Sequence, residues 1–154
     1  MRRLTGFLLL ATALAGCGGS SHRSSAPESA YLTDVVVDGA TVRFEFESRP
    51  LQVRARYESR TRLAECGSGK PIRLRGAAVV VVHFLPAASA KIHGDQVELT
   101  YNGPKHLTGP GPVLEAVKSC DFESDLGWAL GVERRVPIDV SRDGASVTLS
   151  FRKP

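Results

Sequence analysis

Apolar and polar residues alternate in several short runs of this chain, and a turn signal brackets each run. Val42, Phe44 and Phe46 alternate with Arg43, Glu45 and Glu47, and Leu51, Val53, Ala55 and Tyr57 alternate with Gln52, Arg54, Arg56 and Glu58. A period of two puts apolar side chains on one face of an extended strand, the mark of a half-buried sheet. Asp38-Gly39 parts Val35–Val37 from the Val42 run, and Asp143-Gly144 parts Val136, Ile138 and Val140 from Val147, Leu149 and Phe151. Glycine accepts positive φ, so each Asp-Gly predicts a tight hairpin. Ser48-Arg49-Pro50 separates the Val42 and Leu51 runs. The outward residues are acidic on one and basic on the next, which predicts cross-strand ion pairs of small energetic weight.

The middle of the chain reads the same way. Val79–Val82 with His83, Phe84 and Leu85 is a continuous apolar run flanked by Gly76 and Pro86, as expected of a strand buried on both faces. Gln96–Tyr101 is a shorter strand candidate. Val113–Phe122 fits two periods: Leu114 and Val117 have helical spacing, while Val113, Glu115 and Val117 alternate. Its β surroundings favour a strand. Many short strands with Gly and Pro turns imply a sandwich or barrel. The expected fold is all-β, a single antiparallel β-sandwich over residues 31–154, a usual size for one domain.

The N-terminus carries a different message. Arg2 and Arg3 precede an apolar stretch, Leu4–Leu14, which ends in Ala15-Gly16-Cys17. That stretch is well short of the roughly 20 residues a bilayer span needs, and suits a secretory signal. A cysteine directly after two small residues resembles the bacterial lipoprotein box. The resemblance implies that residues 1–16 are removed, that the Cys17 thiol takes a diacylglyceryl group, and that the protein sits on the extracytoplasmic face of the cell membrane. Two acyl chains suffice for stable anchoring. Residues 18–30 are rich in Gly and Ser, lack large apolar side chains and read as a tether.

Removal of Arg2 and Arg3 leaves 18 basic against 16 acidic residues, from 20 and 16 in the whole chain. The basic pI is therefore no argument for a nucleic-acid partner, and no clustered basic segment suggests one.

With Cys17 assigned to lipid, Cys66 and Cys120 form an even pair in an exported, oxidising setting, and a disulfide between them is expected. Two buried thiols or a thiol redox site are the alternatives. There is no C-x-x-C, and no His pair completes a zinc site. The four histidines are His22, His83, His93 and His106, and no G-x-S-x-G, H-E-x-x-H or P-loop accompanies them. Catalysis by a site assembled only in space is the remaining enzymatic reading. Asp121, Glu123 and Asp125 lack the spacing and glycine of a calcium loop, so no metal or cofactor is expected. Trp128 shares its face with Leu126 and Leu130, which favours a core position over a sugar-stacking platform. Arg134 and Arg135 are the candidate binding surface for anionic groups. The Thr108–Pro112 loop is short of side chains and names no ligand.

Several segments together resemble a known family. They are Gly67-Ser68-Gly69-Lys70-Pro71-Ile72, Gly76-Ala77-Ala78-Val79-Val80-Val81, Tyr101-Asn102-Gly103-Pro104-Lys105, Asp121-Phe122-Glu123-Ser124, Leu126-Gly127-Trp128-Ala129-Leu130-Gly131-Val132 and Arg134-Arg135-Val136-Pro137. In this order and spacing they resemble the AMIN-like domain of actinobacterial lipoproteins and secreted proteins. The resemblance implies a β-sandwich related to domains that target wall amidases and secretion channels to the envelope, and it implies no catalytic residue. The expected function is non-catalytic binding or scaffolding at the cell envelope, with peptidoglycan or an envelope protein as partner. The alternatives are a small apolar ligand or a protein partner, and then a hydrolase.

Overall fold

The computed structural model describes residues 28–152. The signal, Cys17 and most of the tether expected from the sequence lie outside the described residues. Twelve strands form two five-stranded sheets and a separate hairpin. The first sheet has β1 (Ala30–Asp38), β2 (Thr41–Phe46), β5 (Ala87–Ala88), β11 (Asp139–Asp143) and β12 (Ser146–Ser150), in the order β11-β12-β2-β1-β5. The second has β3 (Gln52–Glu58), β4 (Ala78–Leu85), β8 (His106–Thr108), β9 (Val113–Phe122) and β10 (Asp125–Val132), in the order β3-β4-β10-β9-β8. β6 (Ala90–His93) and β7 (Gln96–Leu99) pair only with each other. All pairings are antiparallel except the short contact of β1 with β5. This is the all-β sandwich expected from the sequence.

The core lies between the sheets, as period two dictates. Leu32, Val42, Phe44 and Leu149 from one sheet meet Val80, Val82, Phe84, Leu126, Trp128 and Leu130 from the other, all fully buried. Trp128 stands edge-on to Phe44 and Tyr101, at centroid distances of 5.9 and 5.8 Å. Its place is the core rather than the surface. Its Nε1–H has no acceptor among the described residues, a cost tolerated for the apolar area the ring buries.

Both Asp-Gly signals mark two-residue hairpin turns, with Gly39 and Gly144 at φ +56°. Three local expectations are corrected. First, β2 and β3 do not form a hairpin: Ser48–Leu51 crosses from one sheet to the other. The predicted ion pairs across them are therefore absent, and Arg43 pairs instead with Glu45 on its own strand, as Arg56 does with Glu58. Second, Val136–Ile138 lies outside any strand, and β11 starts only at Asp139. Pro137 lacks a ladder donor, and the Val136 N–H is taken by the Tyr57 hydroxyl, which donates in turn to the Val136 carbonyl. Third, the Gln96–Tyr101 strand ends at Leu99; Tyr101 is buried outside it, its hydroxyl donating to the Pro104 carbonyl. The double period of Val113–Phe122 also has a cause. Register shifts leave Leu114 and Ser119 as extra residues on β9, so Val113 and Ala116 both face the core.

The second sheet is covered on its outer face as well. Residues 59–77 cross it, beginning with a short 3-10 turn (Arg60–Arg62). Leu63, Ile72 and Leu74 from this segment pack on Val79, Val81, Val117 and Ala129. This explains why β4 reads as a continuous apolar run. Past Asp125, the outward residues of β10 are small: Gly127, Ala129 and Gly131. A Cβ on Gly131 would collide with the Arg75 carbonyl and sit 3.2 Å from the Leu74 Cβ, so only glycine lets the cover lie so close.

Candidate functional site

Three clusters bear the polar side chains with chemical potential. The first fastens the cover. Cys66 and Cys120 are joined by a disulfide with Cα atoms 5.0 Å apart, and the Cys66 N–H donates to the Ser119 carbonyl. The expected pairing is present, so neither sulfur is a free nucleophile. Further along, the backbone N–H of Arg75 and its Nε–H reach the Glu115 carboxylate at 2.8 and 2.6 Å. Burial works against the Glu115 charge, but these two bonds and the guanidinium outweigh it and hold its carboxyl below the ordinary range. His106 is exposed, with Nε2 3.7 Å from the same carboxylate.

The second cluster is an open cleft beside the disulfide. His83 Nδ1 lies 2.7 Å from Asp125 Oδ1, and Ser119, Arg56, Glu58 and Arg62 share the cleft walls. His83 is half-buried, at the end of the apolar β4 run, with its ring held by the Asp125 carboxylate. The ring and the Ser119 hydroxyl face the same side of β10 but share no hydrogen bond. Asp121, Glu123 and Asp125 do not converge. Asp121 accepts from the Ser89 N–H, the Ser89 hydroxyl and the Lys118 ammonium, while Glu123 occupies the exposed turn. Burial raises the Asp121 carboxyl, yet Lys118 and Ser89 outweigh burial and the net effect is downward. Among the described residues no group of His, Cys, Asp and Glu could hold a metal ion.

The third cluster occupies the end of the sandwich where β10 finishes. Arg134 and Arg135 lie in the exposed bend after Val132. Arg134 lines a pocket of about 230 Å³ with Ala40, Pro112, Val136, Phe151 and Arg152. With Arg135 and Arg60 it also lines a second cleft beside Glu58 and Ala77. Arg135 stacks over the Tyr57 ring, its guanidinium carbon 4.7 Å from the ring centroid. Arg60 donates to the carbonyls of Leu74 and Gly76. Among the described residues no carboxylate lies within ion-pairing distance of Arg60, Arg134, Arg135 or Arg152. The fold thus brings Arg60 and Arg152 to the two arginines singled out in the sequence. The Tyr57 clamp on Val136 was not legible because its partners are 79 residues apart.

Comparison with protein families matches residues 34–146 to the AMIN-like domain. No curated protein and no solved structure matches the chain. The matched span covers the second sheet whole and the first apart from the start of β1 and nearly all of β12, and the chain belongs to the AMIN-like domain family.

Proposed function

We propose that this protein is a non-catalytic lipoprotein of the cell envelope, held on the extracytoplasmic face of the membrane through Cys17, and that its AMIN-like domain binds peptidoglycan. The observation that carries the reading is the arginine end of the sandwich. Peptidoglycan presents carboxylates along its stem peptides, and guanidinium groups recognise carboxylates in a bidentate fashion. Arg134 and Arg135 are exposed, share clefts with Arg60 and Arg152, and lack carboxylate partners within the described chain. The described chain begins at the other end of the sandwich, beside Ser124. An anchor at one end and an anion-binding surface at the other suit a domain that bridges membrane and wall.

Cosedimentation with purified sacculi tests the reading. The mature chain should pellet with sacculi at low salt and be released as salt rises. Replacing Arg134 and Arg135 together with Gln should weaken binding several-fold and blunt its salt dependence. No cosedimentation with sacculi of several wall types would remove peptidoglycan as the partner and put a protein partner or a small apolar ligand first. The anchor is tested separately: Cys17→Ala should move the protein out of the detergent phase, and unchanged partitioning would refute lipid attachment. The His83–Asp125 cleft gives the catalytic alternative its own test. Hydrolysis of wall polymer that is lost in Ser119→Ala and in His83→Gln would replace the binding reading with a hydrolase.

A further inference from the structure

The β6–β7 hairpin stands off both sheets and turns an apolar face to solvent. Ala90 pairs with Leu99 and Ile92 with Val97, so these four side chains share one face of the ribbon. Ile92 is 76% exposed, Val97 64% and Leu99 58%. Phe122, 61% exposed, leads into the β9–β10 turn and borders the same concavity as Ile92 and Val97. Isolated apolar side chains at a surface are ordinary, but a contiguous group on a projecting element calls for a partner.

The position of this patch indicates which partner. Ser29 lines the same concavity, and its hydroxyl bonds to that of Ser124 in the β9–β10 turn. The chain therefore enters the domain at the patch. Residues 18–28 separate Ser29 from Cys17, and a Gly/Ser-type chain of that length has an r.m.s. span of roughly 18 Å. A domain of this size is about 30–35 Å across. The end next to the tether is thus the end held at the lipid. The tether itself, Gly18–Pro27, has no large apolar side chain to cover the patch. A second copy is a poor match too, because four such side chains offer far less than the about 800 Å² per partner of a standard interface. The rim is amphipathic: Lys91 is stacked 5.2 Å over the Tyr31 ring and paired with Glu47. Tyr and Lys of this kind suit the boundary between headgroups and acyl chains.

We propose that the β6–β7 hairpin and Phe122 insert into the outer surface of the lipid bilayer and hold the domain upright on the membrane, with the arginine end pointing away. The proposal rests on lipid attachment at Cys17. Weak insertion is enough, because the anchor keeps the patch at high local concentration over the bilayer. The rim carries Glu47, Glu98, Asp121 and Glu123 against Lys91 and Lys118, so the contact is apolar rather than driven by anionic headgroups.

The test uses the chain from Cys17 onward with its Cys66–Cys120 disulfide intact. The Cys17 thiol is coupled to a maleimide phospholipid in vesicles of phosphatidylethanolamine and phosphatidylglycerol. Amide hydrogen exchange is then compared with that of the same chain, capped at Cys17, free in solution. Residues Ala90–Leu99 and Asp121–Asp125 should exchange at least threefold more slowly on vesicles, while Glu133–Arg135 should not change. The double variant Ile92→Ser, Val97→Ser should lose that protection while keeping native Trp128 fluorescence. Equal exchange at the hairpin with and without vesicles would overturn the proposal. So would protection that appears in solution as protein concentration rises, which would identify a second copy as the occupant. Chemical coupling makes the outcome independent of whether cells acylate Cys17, so failure here and failure of the Cys17→Ala test are distinct results.

Discussion

The two sheets solve the same problem differently. In the first, β2 and β12 bury one face: Val42, Phe44 and Phe46 point inward, as do Val147 and Leu149, while Arg43 faces out. In the second, the central strands β4 and β10 are buried on both faces, because residues 59–77 lie across the outside. The first sheet needs nothing beyond its partner. The second needs a covering segment, small residues beneath it, a disulfide and the Arg75–Glu115 pair to keep it in place. A sandwich of this size therefore gains a second small core without a third sheet. The gain takes the covered part of the outer face of β10 out of contact with solvent.

The comparison can be broken at three points. Trp128 belongs to the core shared by both sheets, so Trp128→Ala should destabilise the whole domain by about 3–5 kcal/mol. Urea unfolding followed by far-UV and near-UV signals should shift as one transition. Separate transitions for the two signals would mean that the sheets do not share a single core. Removing the disulfide by Cys66→Ala with Cys120→Ala acts on the cover alone. The loop closed by these cysteines spans 54 residues, and its loss should cost about 2–4 kcal/mol. Hydrogen exchange should speed up most around Leu63–Leu74, with β2 and β12 accelerated less than the cover. Uniform acceleration across both sheets would show the cover to be integral to the fold rather than added to it.

The smallest effect is a pH dependence. The Glu115 carboxyl is held below its ordinary value of 4.5 in the folded state. Its contribution is thus fully present above that value and is lost as pH falls through the lowered one. Glu115→Gln should flatten the acid limb of the stability profile below about pH 4.5 and leave the profile near neutrality parallel to that of the wild type. The slope that remains belongs to Asp121 and Glu58, whose carboxyls are lowered by other partners. An unchanged acid limb would mean that Arg75 does not hold Glu115 in solution.

The strands and turns were legible because their cause is local. The Val42 and Val147 runs, the two Asp-Gly turns and the inward face of Trp128 all follow from period two and glycine's freedom at positive φ. The apolar run of β4 was legible as doubly buried, but what covers it was not, since Leu63 and Leu74 sit in a segment without periodicity. The bulges at Leu114 and Ser119 blurred β9 by breaking its alternation. At the candidate site, Arg134 and Arg135 could be named from the sequence. Their company with Arg60 and Arg152 could not, because only the fold brings these distant residues to one end. The hairpin's apolar face was hidden too, because Ile92 and Val97 are exposed only by β6 and β7 pairing with nothing else.

The arrangement of β1, β2 and β12 has a mechanical consequence. Both β1 and β12 pair antiparallel to β2, so the two run in the same direction on either side of it. The chain enters at Ala30 at one end of the sandwich and leaves at Phe151 at the other, where the Phe151 N–H donates to the Ala40 carbonyl. A pull between these points slides β1 and β12 lengthwise past β2. In that shear geometry the hydrogen bonds of each ladder share the load and break together, whereas a peeling force would open them one at a time. A domain loaded between its first strand and its last would meet tension along the axis that these two ladders resist by shear.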